Sequence, residues 1–135
     1  MRVDHVAIAV NSVAEALKNY AKILKIDKVD IEDVPTESVK VAILKLQDTR
    51  IELMEPTADD SPIKKFLTDR GEGIHHIAIT ADDIESDVER AIANGTRMIG
   101  NIRTGSYGRK ITFIHPKSMN GVLTEFCQAP PESKE

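Results

Sequence analysis

Two short stretches of this chain carry nearly the same order of polar and apolar positions. His5-Val6-Ala7-Ile8 returns 71 residues later as His76-Ile77-Ala78-Ile79. Both are rich in β-branched residues and alternate in character, which predicts strands. A helical stripe follows each. Ser12 and Glu15 form a capping box ahead of Val13, Leu17, Tyr20, Ala21 and Leu24. Asp82 and Glu85 offer a similar start ahead of Ile84, Val88, Ala91 and Ile92, with Asn94-Gly95 as the stop. At the same displacement Val13 meets Ile84, Leu17 meets Val88 and Ala21 meets Ile92, so one buried stripe occurs twice.

Strand-like runs come after each helix. The first half has residues 39–45 and 50–55, parted by the turn Gln47-Asp48-Thr49; the second has 110–115 and 122–127. Ser61-Pro62 and Arg70-Gly71-Glu72-Gly73 bound a short linking helix over 62–70. Each half is therefore a strand, a helix and about three further strands. Neither half alone closes a core. Together they predict one α+β domain over 1–129 with approximate two-fold internal symmetry. Repeat one spans about 1–56, the linker helix about 61–71 and repeat two about 73–128, and 130–135 form a flexible polar tail.

Composition narrows the function by exclusion. The 135 residues are 41% hydrophobic, enough for a packed core, and with no Trp, two Tyr and three Phe that core must be aliphatic. The longest apolar run, Val6 to Val10, falls far short of the ~20 residues of a membrane helix. Asp4 and His5 stand where a signal peptide would be apolar, and the single cysteine, Cys127, forms no internal disulfide; a cytoplasmic protein is expected. A net charge of −4 argues against nucleic-acid binding.

The polar residues of the repeat carry the chemistry. On the first strand His5, Ala7 and Ala9 share one side, and Val6, Ile8 and Val10 the other. On its counterpart His76, Ala78 and Thr80 lie together, while His75 points away with Ile77 and Ile79. Alanines beside a histidine leave the room that a cleft requires. The last strand of each half has a carboxylate among apolar residues, Glu52 and Glu125, 73 residues apart. If the halves pair about a two-fold axis, His5, Glu52, His76 and Glu125 converge on one concave surface. Two imidazoles and two carboxylates suit a six-coordinate divalent cation such as Co²⁺, Mn²⁺, Ni²⁺, Fe²⁺ or Zn²⁺, with two positions open.

Taken singly, a histidine beside an apolar strand is usually a core or rim residue, and a strand glutamate usually faces solvent. Duplication reverses that judgement, because chance would have to place both types at matching positions twice. Glu37, in Pro35-Thr36-Glu37-Ser38, reads on spacing alone as a solvated loop acid, as do Glu32, Asp33 and Glu55. His115 either lines a cleft or caps a turn. Gly105-Ser106-Tyr107-Gly108, with Arg103, Arg109 and Lys110 nearby, is a candidate receiver for an anionic substrate tail, although it has no P-loop or dinucleotide spacing. No Ser-His-Asp or Cys-His constellation is present.

The duplicated βαβββ pattern with paired His and Glu resembles the vicinal oxygen chelate superfamily, which includes glyoxalase I, extradiol dioxygenases and drug-binding resistance proteins. Within it, residues 3–128 resemble the methylmalonyl-CoA epimerase family. The segments that carry this are Asp4 to Val10, Glu52-Leu53-Met54-Glu55-Pro56 with Asp60-Ser61-Pro62-Ile63, Gly73-Ile74-His75-His76, and His115-Pro116-Lys117 with Gly121 to Glu125. The resemblance implies a single vicinal-oxygen-chelate domain with a concave metal-binding sheet. It implies a divalent metal, Co²⁺ foremost or else Mn²⁺, Ni²⁺ or Zn²⁺, at His5, His76 and Glu125, with Glu52 as fourth ligand. It also implies a homodimer and interconversion of (R)- and (S)-methylmalonyl-CoA through loss and return of the C2 proton. Glu125 and Glu37 are the implied acid–base pair; the stretch from Glu37 to Val39 is one residue shorter than the Glu-X-Gly-Val arrangement of the family. A glyoxalase-I-like isomerase and a non-catalytic binding protein of the same fold are the alternatives.

Overall fold

In the computed structural model residues 1–131 are described, and the expected polar tail lies outside them from residue 132 onward. Among the described residues the order is β1 (Val3–Ala9), α1 (Val13–Ile23), β2 (Val29–Val34), β3 (Val39–Lys45), β4 (Arg50–Pro56), α2 (Pro62–Arg70), β5 (Gly73–Thr80), α3 (Ile84–Ala93), β6 (Met98–Thr104), β7 (Lys110–Ile114) and β8 (Thr124–Gln128). This is a mixed α+β chain in which strand, helix and three strands occur twice. It divides into two compact units, one of His5–His75 and one of Met1–Asp4 with the chain from His76 onward.

In the first unit β2 and β3 pair antiparallel, as do β3 and β4, while β4 runs parallel to β1. Helix α1 begins where Ser12, in an extended conformation, accepts the Glu15 N–H at 3.2 Å. Its Val13 and Ala16 pack on Ile8, Val10, Ala42, Leu44 and Leu53, with Leu17 and Tyr20 at the margin. Val13, Leu17, Tyr20 and Ala21 keep the expected stripe, whereas Leu24, expected in it, stands at the C-cap beyond the last helical turn and is 54% exposed. Helix α2 covers the predicted span: Ser61 accepts the Ile63 N–H at 3.2 Å, Pro62 opens the first turn, and Gly71 ends it at φ 80°.

In the second unit β5 runs parallel to β8, and β8–β7 and β7–β6 are antiparallel, with a register shift between Ile99 and Arg103. Helix α3 packs Ile84, Val88 and Ala91 on Ala81, Ile114, Phe126 and Met98, whereas Ile92, expected in the same stripe, is 58% exposed because it lies one position round the helix from the packed Ala91. Its cap is Asp83, which accepts the Ser86 N–H at 3.2 Å, one residue later than the expected Asp82. Asn94 and Gly95 (φ 82°) end it as expected. No helix among the described residues is long and apolar enough to cross a membrane.

The strands left unplaced by the pattern are β2 and β6. β2 reads Val-Asp-Ile-Glu-Asp-Val and exposes Ile31 and Asp33, and β6 carries Gly100 and Asn101 at its irregular register. Half-exposed strands with that many polar residues lack a strong apolar signal.

Leu53 is wholly buried between α1 and the sheet of the first unit. Leu53→Ala is expected to lower unfolding free energy by about 2–5 kcal/mol, as a cavity in a packed core does, read by urea denaturation.

Candidate functional site

Strand register builds each half of the site. In the first unit the parallel pairing sets Ala7 opposite Glu52, so His5, two residues before Ala7, is Glu52's diagonal neighbour on the same face. His5 Nδ1 lies 3.5 Å from Glu52 Oε2, and Arg50 Nε lies 3.5 Å from the same oxygen. In the second unit Ala78 stands opposite Glu125, and His76 Nε2 lies 2.9 Å from Glu125 Oε1. The four residues are 2%, 1%, 2% and 3% exposed in the order His5, Glu52, His76, Glu125. The two units thus repeat one arrangement: His, two residues on an Ala, and a Glu facing that Ala from the parallel neighbour.

The surroundings of the two pairs differ. Glu52 faces Ile43 on β3, whereas Glu125 faces Phe113 on β7. The Phe113 ring meets His76 edge-on at 5.0 Å between centroids. Ala78, Ile111, Phe113 and Cys127 pack together on that face. Ala7 and Ala78 are wholly buried, and their short side chains leave the space that the imidazoles and carboxylates occupy.

The chemistry of these donors fits a divalent cation. A carboxylate taken out of water costs several kcal/mol unless something compensates its charge, and each buried carboxylate here lies beside an imidazole nitrogen. Nitrogen and oxygen donors of this kind suit borderline and hard divalent ions.

Glu37 ends a 3₁₀ turn, Pro35–Glu37, between β2 and β3, and is half-buried. The next residue, Ser38, takes a left-handed conformation at φ 53°, so the acid immediately precedes the residue that reverses the chain. The turn is pinned by the chain between β4 and α2: Thr57 N–H, just past β4, donates to the Ser38 carbonyl at 2.9 Å, and the buried hydroxyl of Ser61, the cap of α2, lies 3.5 Å from the Glu37 carbonyl. The Ser-Pro-Ile segment therefore both caps α2 and steadies the turn bearing Glu37.

The other candidate acids and bases separate by location. Glu55 accepts the Val13 N–H at 2.8 Å and so serves the start of α1. Asp33 lies on the opposite side of the sheet from Glu52, while Glu32 shares Glu52's side. His115 caps a 3₁₀ turn by accepting the Lys117 N–H at 3.0 Å; desolvation, with the Arg97 and Lys117 charges, holds its pKa below the usual histidine range. His75 stacks edge-on against Phe66 at 5.1 Å, away from the paired residues, as its strand position predicts.

The cations near Gly105-Ser106-Tyr107-Gly108 have local roles. Arg103 lies over the Phe113 ring at 5.2 Å and donates to the Asn101 carbonyl at 3.0 Å. Arg109 is buried over Tyr107, with its Nε 3.8 Å from Asp4, and Asp4 also accepts from the Cys127 thiol at 3.5 Å. Lys110 pairs with Glu85 at 3.0 Å. The contact that the sequence reading missed is Arg50 beside Glu52; its signal was a basic residue at strand period two from the acid.

The model of the glyoxalase/bleomycin resistance protein/dioxygenase superfamily matches residues 4–113. An ethylmalonyl-CoA/methylmalonyl-CoA epimerase of Cereibacter sphaeroides is 36% identical over 130 residues, which cover 94% of this chain and 97% of that protein. A Streptomyces coelicolor methylmalonyl-CoA epimerase variant, solved in complex with 2-nitronate-propionyl-CoA, superposes with a TM-score of 0.93 at 33% identity, covering 97% of this chain and 96% of that one. A methylmalonyl-CoA epimerase solved with methylmalonyl-CoA and ammonium gives 0.92 at 34% identity, covering 96% and 95%.

Glu55→Ala is expected to cost about 1 kcal/mol by removing the acceptor at the start of α1, with turnover per folded enzyme unchanged. A loss of turnover beyond the unfolded fraction would return Glu55 to the list of bases.

Proposed function

The chain belongs to the glyoxalase/bleomycin resistance protein/dioxygenase superfamily and, within it, to the methylmalonyl-CoA epimerases; from that premise we propose that it interconverts (R)- and (S)-methylmalonyl-CoA. The observation that carries the proposal is the repeated register, which buries a His–Glu pair in each unit in a chain whose relatives bear that name. His5, Glu52, His76 and Glu125 are the proposed metal ligands. When bound, a divalent cation supplies positive charge to substrate oxygens that become more negative as C2 loses its proton.

The residues do the rest. Epimerisation breaks the C2–H bond on one face, sends its electron pair toward the thioester carbonyl, and forms a new C2–H bond on the other face. One carboxylate reaches one face, so two are needed. Glu125 is proposed for one face and Glu37 for the other. Whichever takes the proton becomes a carboxylic acid. The other gives up its own proton to C2 and is left ionised. Exchange with water resets the pair. The pinned turn supports this role for Glu37, because a proton donor must be held at a fixed height over the carbon. The homodimer that the resemblance implies belongs to the same proposal and is checked by sedimentation.

The deciding experiment compares methylmalonyl-CoA with the glutathione hemithioacetal of methylglyoxal. Turnover of the hemithioacetal alone would replace this proposal with a glyoxalase-I-like isomerase, and turnover of neither with a binding protein. His5→Ala and His76→Ala are each expected to lose metal together with activity, read by elemental analysis of the purified protein. Full metal occupancy in both variants would end the four-ligand proposal.

Glu37→Gln keeps size and hydrogen bonding but takes no proton. It is expected to slow epimerisation by ~10²–10⁴-fold, while one epimer still exchanges its C2 proton with deuterium from solvent through Glu125. An unmodified rate would move the role to Glu32, the acid that shares Glu52's side of the sheet.

A further inference from the structure

Arg50 is a neighbour of the first His–Glu pair that the internal repeat does not explain. It stands two residues before Glu52 on β4, so both side chains leave the same face, and it is the register partner of His5 on β1. Its guanidinium Nε approaches the carboxylate oxygen that His5 also approaches, each at 3.5 Å, and its side chain is only 11% exposed. In the second unit the position two residues before Glu125 holds Leu123, an apolar side chain packed against the cluster of Ala78, Ile111, Phe113 and Cys127. One half of the duplication has a half-buried cation where the other has a hydrocarbon.

A guanidinium is ionised at every pH the protein meets. Beside Glu52 it offsets the negative charge that this carboxylate adds to the donor set. Two consequences have opposite signs. A divalent cation held by His5 and Glu52 meets less negative charge and is repelled by Arg50, so its binding weakens. An anionic ligand approaching the same face meets one more positive charge, so its binding strengthens.

We propose that Arg50 is a positioning residue that sets the charge of this half-site, giving up metal affinity in exchange for affinity toward the anionic malonyl end of the substrate. The inference rests on the divalent-metal reading above. A residue that merely supported the local fold would weaken both kinds of binding when removed. A charge-setting residue moves them in opposite directions.

The test uses the full chain as wild type, Arg50→Gln and Arg50→Lys. Metal-free protein is titrated with Mn²⁺ in a calorimeter, and the KM for methylmalonyl-CoA is measured on the Mn²⁺-loaded enzyme. Arg50→Gln is expected to bind Mn²⁺ roughly tenfold more tightly and to raise KM by a similar factor, the scale of one partly screened unit charge at a few ångströms, with a smaller change in kcat. Arg50→Lys keeps the charge and is expected to stay close to the wild type in both. Unchanged or weaker Mn²⁺ binding by Arg50→Gln overturns the proposal, and so does a lysine variant that behaves like the glutamine one. If Arg50→Gln does not fold, Arg50→Met takes its place under the same criteria, and failure of both neutral variants to fold makes the role structural and the proposal wrong. A wild-type protein that takes up no Mn²⁺ overturns the metal reading itself, and this inference with it.

Discussion

A carboxylate placed in the middle of a β-strand and shut off from water must have its charge answered, and that requirement organises both units. Glu52 and Glu125 are each almost wholly buried, and each has an imidazole on the adjacent parallel strand within 3.5 Å or less. The diagonal placement follows from register. A histidine directly opposite the glutamate would crowd it, whereas one displaced by two residues reaches across with its longer side chain. The residue that does stand opposite must then be small. Ala7 and Ala78 meet that condition.

Once one face of each sheet is given to polar groups, stability has to come from the other. There the strands present Ile8, Val10, Leu44 and Leu53 to α1, and Ile114 and Phe126 to α3. These side chains do what a small domain with few aromatics needs, removing aliphatic area from water at about 25 cal/mol per Å². The period of two makes the two faces interdependent. A slip of one residue between β1 and β4 would turn Leu53 toward the imidazole and Glu52 toward the helix. The aliphatic core therefore fixes the register that brings His5 to Glu52.

This interdependence explains what was legible in the sequence. The stripe beneath α1 and α3 apart from its exposed ends at Leu24 and Ile92, the caps at Ser12 and Ser61, and the faces of His5, His76 and His75 all follow from strict local periodicities, and each was readable. β2 and β6 were not placed, because their half-exposed positions tolerate polar residues that blur the alternation. Asp82 and Asp83 are adjacent acids, and composition does not say which one takes the extended conformation of a cap. Glu55 reads as a loop-side acid until its long-range bond to Val13 is seen. Arg103, Arg109 and Lys110 suggest an open basic loop by proximity in sequence. Arg109 and Lys110 instead find Asp4 and Glu85 at distant positions, Arg103 lies over Phe113 of the next strand, and Tyr107 of the loop itself lies under Arg109.

The repeat also shows where duplication stops being symmetrical. Both units keep the His, the Ala and the Glu, yet the residues around the two carboxylates diverge. Arg50 and Ile43 accompany Glu52, whereas Leu123 and Phe113 accompany Glu125. A reaction that removes a proton from one face of a carbon and returns it to the other gains nothing from two identical halves. It needs acid–base groups on opposite faces, which the proposal finds in Glu125 and Glu37, so Glu52 is left to a different task. A guanidinium 3.5 Å from Glu52 offsets the charge of that carboxylate, whereas the matching position beside Glu125 holds the uncharged Leu123. Of the two buried glutamates, the one without a basic residue at strand period two is Glu125, which is the one the proposed mechanism uses as a base.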